Sequence, residues 1–587
     1  MKIPYGIFDF GSIRTENYFY QDRTGLIPQI EAAGKQLLFL RPRRFGKSLL
    51  ISMLEHYYDV NKAAQFETLF GDLAIGQNPT PLHNRYCILH WDFSLVKTQG
   101  DVREIERSIH QVINMCVQRC ASIYDLSVTL HEDNAIYSFG NLLTAIQNPG
   151  HGLYLFIDEY DNFANEILMA RQVQYEALLY GEGLFKTVFK AVKAAAGQGL
   201  DRVFMTGVSP VAMSDITSGY NVATNIYLNV RFNTLCGFTE TEVKSLLETV
   251  VREQSAEGTV DWSAEEALGL MRTFYNGYCF DSDSQMSVYN PTLTLYFLRA
   301  LQDEGHYPRK MLDHNLAMDR QRLLFVAGLL EGESLLLEAL SQEQGLLIAD
   351  IADRFGIQDM LRDTRERETV ISLLYYFGIL TLAGTTGLNK LAMKIPNLVS
   401  RSLYIEQLQD IYITSSEDRL SLLNLPDELF VKGDLLPVCE FIETRLFPVL
   451  SNRDYRWSNE LAIKVIFMMM LFNDRVYMMV SETEVNHGYA DLSLIVRPDM
   501  RRFKALDLVL EFKYLNLKEL GLSGEDARGK SREELSQNPL VIAKLAEAKT
   551  QALRYAATLK TRYGLPSIAC FAVVAIGLER VVFERVG

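Results

Sequence analysis

Between the apolar pentapeptide Gln36 to Leu40 and a run of helical periodicity from Ser48 to Tyr58 stands the octapeptide RPRRFGKS, Arg41 to Ser48. Few short stretches restrict a fold so strongly. A buried strand that turns through Gly46, Lys47 and Ser48 into a helix is the setting in which backbone amides and a helix N-terminus cradle phosphates. There Lys47 reaches the β and γ oxygens and Ser48 holds Mg²⁺, with ATP the expected nucleotide. The loop ordinarily opens with glycine five residues before Gly46, where this chain has Arg41. Arg41, Arg43, Arg44 and Phe45 complete the expected nucleotide-binding loop, the three arginines set beside the phosphates in place of the tighter glycine turn.

A second motif belongs to the same chemistry. The apolar run His151 to Ile157 ends in Asp158-Glu159, with Asp161 just beyond. Carboxylates at the C-terminal end of a buried strand lie where open α/β sheets bind ligands. Asp158 is expected in the magnesium shell and Glu159 as the residue that orients attacking water. Two more strands, Tyr86 to Phe93 and Arg202 to Thr206, alternate with helical stretches, so the sheet is expected to be parallel with crossovers. Thr206, at a strand tip, is placed to sense a γ-phosphate or to satisfy local backbone. Arg231, after NIYLNV, is the candidate for an arginine acting on the phosphates.

With 587 residues the chain is long enough for three or four cores. Val465 to Phe472 is too short to span a bilayer and is followed by Asp474 and Arg475. Seven cysteines without paired spacing, Cys116 and Cys120 among them, read as core thiols in a reducing compartment. A soluble, cytoplasmic protein is expected. The net charge of −15 argues against coating nucleic acid by bulk electrostatics. From Val431 onward, however, 22 Lys and Arg face 20 Asp and Glu, so a polyanion would prefer the C-terminal part.

RPRRFGKS, PYGIFDFGSIRTENYFYQDRT (Pro4 to Thr24), FIDEYDN, TGVSP, CGFTETEV (Cys236 to Val243), YNGYCF (Tyr275 to Phe280) and YNP (Tyr289 to Pro291) together resemble the AAA-ATPase-like family of bacterial proteins. The resemblance covers nearly the whole chain and implies a C-terminal PD-(D/E)XK nuclease-like domain. It also implies that Arg41 is a family trait, since the family's loop typically reads RPRRFGKS. Where members tend to read Asp-Lys-Thr, this chain has Asp22-Arg23-Thr24.

The expected architecture is α/β throughout. A P-loop parallel sheet over 1–238 is followed by a helical lid over 239–320. Thr239 to Ala300 turns helical from a threonine cap, and YNGY and NP supply turn and helix-start chemistry. A helical, winged-helix-like segment over 321–425 includes a hairpin across Gly384 to Gly387. It is expected to pack on the ATPase core, for no basic recognition helix is visible.

The PD-(D/E)XK domain is expected over 430–587. Glu460 opens an apolar helix, three strands (Val476–Ser481, Tyr489–Val496, Ala505–Tyr514) follow, and a helix over Leu540–Arg562 precedes a strand over Ser567–Ile576. Asp491 falls near the start of the middle strand, and Glu511 and Lys513, two apart, share one face of the next. Asp491 and Glu511 suit one or two Mg²⁺ ions, which activate water and stabilise charge on a phosphodiester, with Lys513 positioning or deprotonating that water. Gln551 and Tyr555, four apart on the long helix, and Glu460 support the site. Tyr489 stands where family members tend to carry the arginine of GRxD, which removes a backbone contact to nucleic acid.

Two functions therefore stay open. One is an ATPase that gates a Mg²⁺-dependent nuclease, acting on DNA more than RNA. The other is a nucleotide-dependent switch whose nuclease fold binds without cutting. A homo-oligomer is compatible with either, and no membrane partner is expected.

Overall fold

The computed structural model describes residues 1–147, 151–162, 183–210, 222–257, 262–281, 286–312, 332–341, 345–353, 367–451, 459–480, 483–485 and 488–586. Its N-terminal layer is a five-stranded sheet built from β1 (Gln36–Leu40), β2 (Tyr86–Asp92), β3 (Gly152–Asp158), β4 (Leu200–Gly207) and the short β5 (Thr224–Asn225). The spatial order is β2-β3-β4-β1-β5, and every pairing is parallel. Near-continuous burial of β1, β3 and β4 is what a parallel sheet covered on both faces requires. Because β4 lies between β1 and β3, the tip that carries Thr206 is placed between the phosphate loop and Asp158.

Three helices, Glu240–Glu257, Ala264–Tyr275 and Pro291–Glu304, follow the sheet. The last begins as the sequence foretells: Asn290 accepts from the Leu293 amide, and Pro291 occupies the first turn, where its missing N–H costs nothing. Next comes a small antiparallel sheet of β6 (Leu346–Ile348), β7 (Thr381–Thr385) and β8 (Leu391–Lys394), ordered β6-β8-β7, with helix Arg367–Tyr376 before the hairpin. Helices expected ahead of that one fall partly on 354–366, outside the described residues. The hairpin segment packs against the stretch that carries YNGYCF. The Cys279 amide donates to Thr381 Oγ1 at 2.7 Å, and Asn397 Nδ2 donates to the Asn276 carbonyl at 2.9 Å. Gly277 adopts φ +105°, and a Cβ there would strike the Pro396 carbonyl.

The C-terminal domain begins with helix Glu460–Leu471 and continues through β9 (Tyr477–Val480), a β10–β11 hairpin (Thr483–Val485, Gly488–Ala490), β12 (Leu492–Val496) and β13 (Leu508–Leu515). Helix Pro539–Tyr563 then crosses to β14 (Ala569–Ile576), which is followed by β15 (Arg580–Val586). The sheet order is β15-β14-β13-β12-β9, with only β13 and β14 parallel. β15 and the break of the middle strand at Asp491 are additions to the expected α-β-β-β-α-β order.

Several contacts join this domain to what precedes it, among them the pairs of Arg532 and Arg580 with Glu443. Gln409 Nε2, on helix Leu398–Tyr412, donates to the Met469 carbonyl at 2.7 Å. Arg497, with no exposed surface, donates to Asp499 through Nε (3.1 Å) and Nη2 (2.9 Å), to the Asp474 carbonyl and, across the seam, to the Pro308 carbonyl at 3.0 Å. Among the described residues no helix is long and apolar enough to cross a membrane. The seven cysteines are unbridged, and Cys120 is buried beside a half-buried Cys116.

Candidate functional sites

Gly46 caps helix Lys47–Tyr58 in a left-handed conformation, φ +83°, which glycine adopts without steric cost. The loop before it is held from behind by the motif YNGYCF. The Phe45 ring stands edge-on to Tyr278 at 4.9 Å and to Phe280 at 5.3 Å, and Gly378 lies against Pro42. Thr292 Oγ1 donates to the Arg44 carbonyl at 2.9 Å, which ties the loop to the lid helix. YNGYCF thus has a physical role that the sequence alone did not assign: it is the buttress of the phosphate loop.

The three loop arginines do not act alike. Arg41 is buried among main-chain carbonyls, donating to Leu40 at 2.9 Å, Tyr227 at 2.8 Å and Phe232 at 2.7 Å, with its guanidinium 4.0 Å from the centre of the Phe280 ring. Burial lowers its pKa to about 10. The expectation of three cations beside the phosphates is corrected here: Arg41 is an internal strut, because its long side chain is turned inward onto the Leu40, Tyr227 and Phe232 carbonyls. Arg43 donates to Asn162 Oδ1. Arg44, at φ +65°, lines the cleft and keeps Nη1 buried with no hydrogen-bond partner. A buried donor without an acceptor calls for an explanation.

Lys47 is buried, its ammonium donating to the Arg41 and Pro42 carbonyls at 3.0 and 3.1 Å. Burial lowers its pKa, while Glu159, Asp158 and Asp161 pull the other way. Ser48 Oγ donates to Asp158 Oδ2 at 2.7 Å, and Thr206 Oγ1 donates to Asp158 Oδ1. Ser48, Asp158 and Thr206 therefore form one chain across three elements. Glu159, in a left-handed conformation at φ +50°, has its pKa raised by burial, with Lys47 opposing. Asp161 accepts from the Val208 and Ser209 amides at 3.0 and 2.8 Å and so fixes the turn after Thr206. Arg231 is exposed beyond β5 and donates to Asn229.

The cleft beside Lys47 has a volume of about 480 Å³. Its polar end is Arg44, Lys47, Ser48 and Glu159; its apolar walls come from Tyr5, Ile7, Phe19, Tyr20, Phe238 and Leu295. The N-terminal motif, to which the sequence assigns no role, forms a wall of this cleft. Asp22 accepts from the Thr24 and Ala74 amides at 2.8 Å each, and Arg23 grips Glu242 at 2.6 and 2.7 Å. In Asp22-Arg23-Thr24 the middle cation is therefore a clasp to the lid.

In the C-terminal domain, Asp491 lies in the gap between β11 and β12, and Glu511 and Lys513 lie on β13. Asp491 Oδ2 accepts from the Phe512 amide at 2.8 Å, and the Asp491 amide donates to Glu511 Oε2 at 3.4 Å. Lys513 Nζ is 3.4 Å from Glu511 Oε1 and 3.3 Å from Glu460 Oε1, and it donates to the Phe512 carbonyl at 2.9 Å. Burial first, then the neighbouring Asp491 charge, pushes Glu511 up to about 8, with Lys513 opposing. For Lys513, burial favours the neutral amine, but Glu460, Glu511 and Asp491 more than offset it and raise its pKa.

Helix Pro539–Tyr563 packs on β11 and β13. Gln551 Oε1 is buried there without a donor, and Tyr555 accepts from Arg554 at 2.8 Å. The charge of Lys513 also reaches Glu547, one turn earlier, an acid that the sequence reading did not include. Among the described residues no three His, Cys, Asp or Glu are grouped to hold a metal. Two adjacent carboxylates that repel each other nonetheless fit Mg²⁺, which takes one or two carboxylates and fills its shell with water and phosphate oxygens.

A parallel sheet with a helix-capping phosphate loop, followed by a mixed sheet carrying Asp…Glu-x-Lys, defines a nucleotide-binding domain joined to a nuclease-like one. Residues 4–217 match the family described as predicted AAA-ATPase, and residues 458–585 match the PD-(D/E)XK nuclease superfamily. A protein of Azotobacter chroococcum mcd 1, described as an uncharacterized protein in the vnfD 5′ region, is 26% identical over 385 residues, 62% of this chain and 66% of its own length. The match thus spans just under two thirds of that relative. The Aeropyrum pernix ORC1 protein in complex with DNA is 11% identical, with a TM-score of 0.25 over 70% of this chain and 94% of its own. The ORC2 protein of the same organism, in ADPNP-ADP complexes, is 11% identical with a TM-score of 0.30 over 67% and 93%. Those scores are too low to carry an argument; the fold rests on sheet order and the two family matches.

Proposed function

We propose that the chain binds and hydrolyses ATP in the N-terminal cleft and uses it to control a Mg²⁺-dependent nuclease in the C-terminal domain. The observation that carries the reading is the convergence of Asp491, just before β12, with Glu511 and Lys513 on the neighbouring β13. A buried Glu-x-Lys pair of this kind is costly unless chemistry or partners require it. In the cleft, Lys47 and Arg44 receive phosphates, Ser48 and Asp158 hold Mg²⁺, Glu159 orients water, and the apolar walls take the base. Bound Mg²⁺ supplies charge neutralisation to the phosphates. In the nuclease-like site Asp491 and Glu511 hold the ion, and Lys513, positioned by Glu460, orients water toward the phosphodiester.

Purified chain with Mg²⁺ should cut DNA in an ATP-dependent manner. Asp491→Ala or Lys513→Ala should lower cutting at least 100-fold, and Lys47→Ala should remove both ATP binding and the ATP response. One observation favours the second reading, a switch that binds without cutting: Lys513 closes ion pairs with both Glu460 and Glu511. Equal DNA binding by wild type and Asp491→Ala, with no cleavage by either, would establish it.

A further inference from the structure

The loop between β12 and β13 carries Arg501, Arg502, Phe503 and Lys504, all exposed, with Phe503 half out in solvent. The Arg502 guanidinium stands 5.0 Å from the Phe503 ring centre. This loop is rigidly seated. Arg497 anchors its base, and the Met500, Arg501 and Phe503 amides turn back on Arg497, Pro498 and Met500. Through the bond from Arg497 to Pro308, the loop adjoins Arg309 and Lys310, and the bond to the Asp474 carbonyl brings Arg475 to the same seam.

Arg309, Lys310, Arg475, Arg502 and Lys504 are exposed and form no ion pair among the described residues. Two nearby acids are already engaged, Asp499 by Arg497 and Asp507 by Arg501 at 2.5 Å. A third, Asp474, is half-buried and lies close enough to Arg497, Arg475 and Lys310 for their charges to act on it, against the burial that raises its pKa. Five exposed cations along one seam, with Arg502 over an exposed aromatic ring, stand out on a chain of net charge −15.

We propose that this seam is a docking surface for single-stranded nucleic acid, its cations following the phosphates and Phe503 offering a stacking face for an unpaired base. The chemistry is that of sequence-tolerant single-strand binding, a basic track with an aromatic platform. The proposal rests on the reading that the C-terminal domain acts on nucleic acid. It adds strand state and a second contact point. Asp491 and Arg497 lie at opposite ends of β12, roughly 20 Å apart at the rise of an extended strand. A stacked strand spans that distance in about six nucleotides.

The test is fluorescence anisotropy of full-length protein with labelled oligothymidines of 4 and 12 nucleotides, in EDTA. The 12-mer should bind more tightly than the 4-mer. Phe503→Ala should weaken 12-mer binding about tenfold. Arg502→Gln/Lys504→Gln should reduce the slope of log K against log salt by about 1.4. ATP binding in the same variants serves as the folding control. Wild-type affinity in both variants, absence of any 12-mer binding, duplex binding that is equal and insensitive to Phe503, or the same sensitivity toward phosphatidylserine vesicles would each overturn the proposal. Binding without cleavage would sink only the nuclease reading. Cleavage that persists with unchanged KM in both variants would sink only this one.

Discussion

A cation in a phosphate loop need not face the phosphates, and Arg41 shows why. Its guanidinium holds three carbonyls from β1, from the segment after β5 and from the short turn at Phe232, so it joins the loop to the edge of the sheet. Arg41→Ala takes the guanidinium from the Leu40 and Tyr227 carbonyls, each at a cost of about 1–3 kcal/mol, while Phe232 keeps the Leu235 amide. The variant should lose at least about 2 kcal/mol, read as a lower urea midpoint for the transition that abolishes ATP binding. Arg44→Ala, which removes a side chain that donates to nothing on its buried Nη1, should leave that midpoint in place and weaken ATP binding instead. The pair separates a structural arginine from a ligand-facing one three residues away.

Between elements, one half-buried pair gives a pH dependence of known sign. His90 on β2 meets Glu55 on the phosphate-loop helix, Nδ1 to Oε1 at 2.6 Å. Burial pulls the imidazolium down, but the hydrogen bond and charge of Glu55, with Asp158 and Asp92 behind, raise its pKa above the ordinary value. A raised histidine stabilises the fold fully below its unfolded value, about 6.5. That contribution is lost as pH rises through the folded value. The stability difference between wild type and His90→Gln should therefore be larger at pH 6 than at pH 9 in urea titrations; an unchanged difference would contradict the pairing.

Elements like these were partly legible in the chain. β1, the GKS turn and the acid-tipped β3 are local patterns, and Asn290-Pro291 announces its helix. The place of β4 between β1 and β3 was not legible, because periodicity says that a strand is buried and not which strand it joins. β15 escaped because RVVFERV mixes charges into a short run at the sheet edge. The candidates Lys47, Ser48, Asp158, Asp491, Glu511 and Lys513 are named by spacing, whereas Glu547 and the cleft wall from Tyr5 to Tyr20 depend on contacts that no spacing encodes.

At the scale of the molecule, the two candidate sites are joined by continuous contact. Phe45 packs on Tyr278, and the Tyr278 hydroxyl is 3.3 Å from Ser400 Oγ. Ser400 lies on the helix whose Gln409 bonds Met469, and the helix bearing Met469 begins with Glu460, the partner of Lys513. A contact chain becomes a coupling only if both sites bias it. Gln409→Ala should reduce the ATP response of cleavage at least threefold while leaving ATP affinity and ATP-free cleavage within twofold; an undiminished response would show that the signal travels elsewhere.

Helix Glu460–Leu471 has a further consequence. From Ala462 to Leu471 every residue is buried, against β13 on one side and against helices Gly332–Ser341, Leu398–Tyr412 and Ser416–Lys432 on the other. Anyone who subclones the C-terminal domain at its family boundary cuts away the second set of neighbours and hands the solvent a sheet of isoleucine, methionine and phenylalanine. The border that sequence comparison draws at residue 458 is therefore a line of descent and not a line of cleavage, and the nuclease-like domain is best handled with the chain that precedes it.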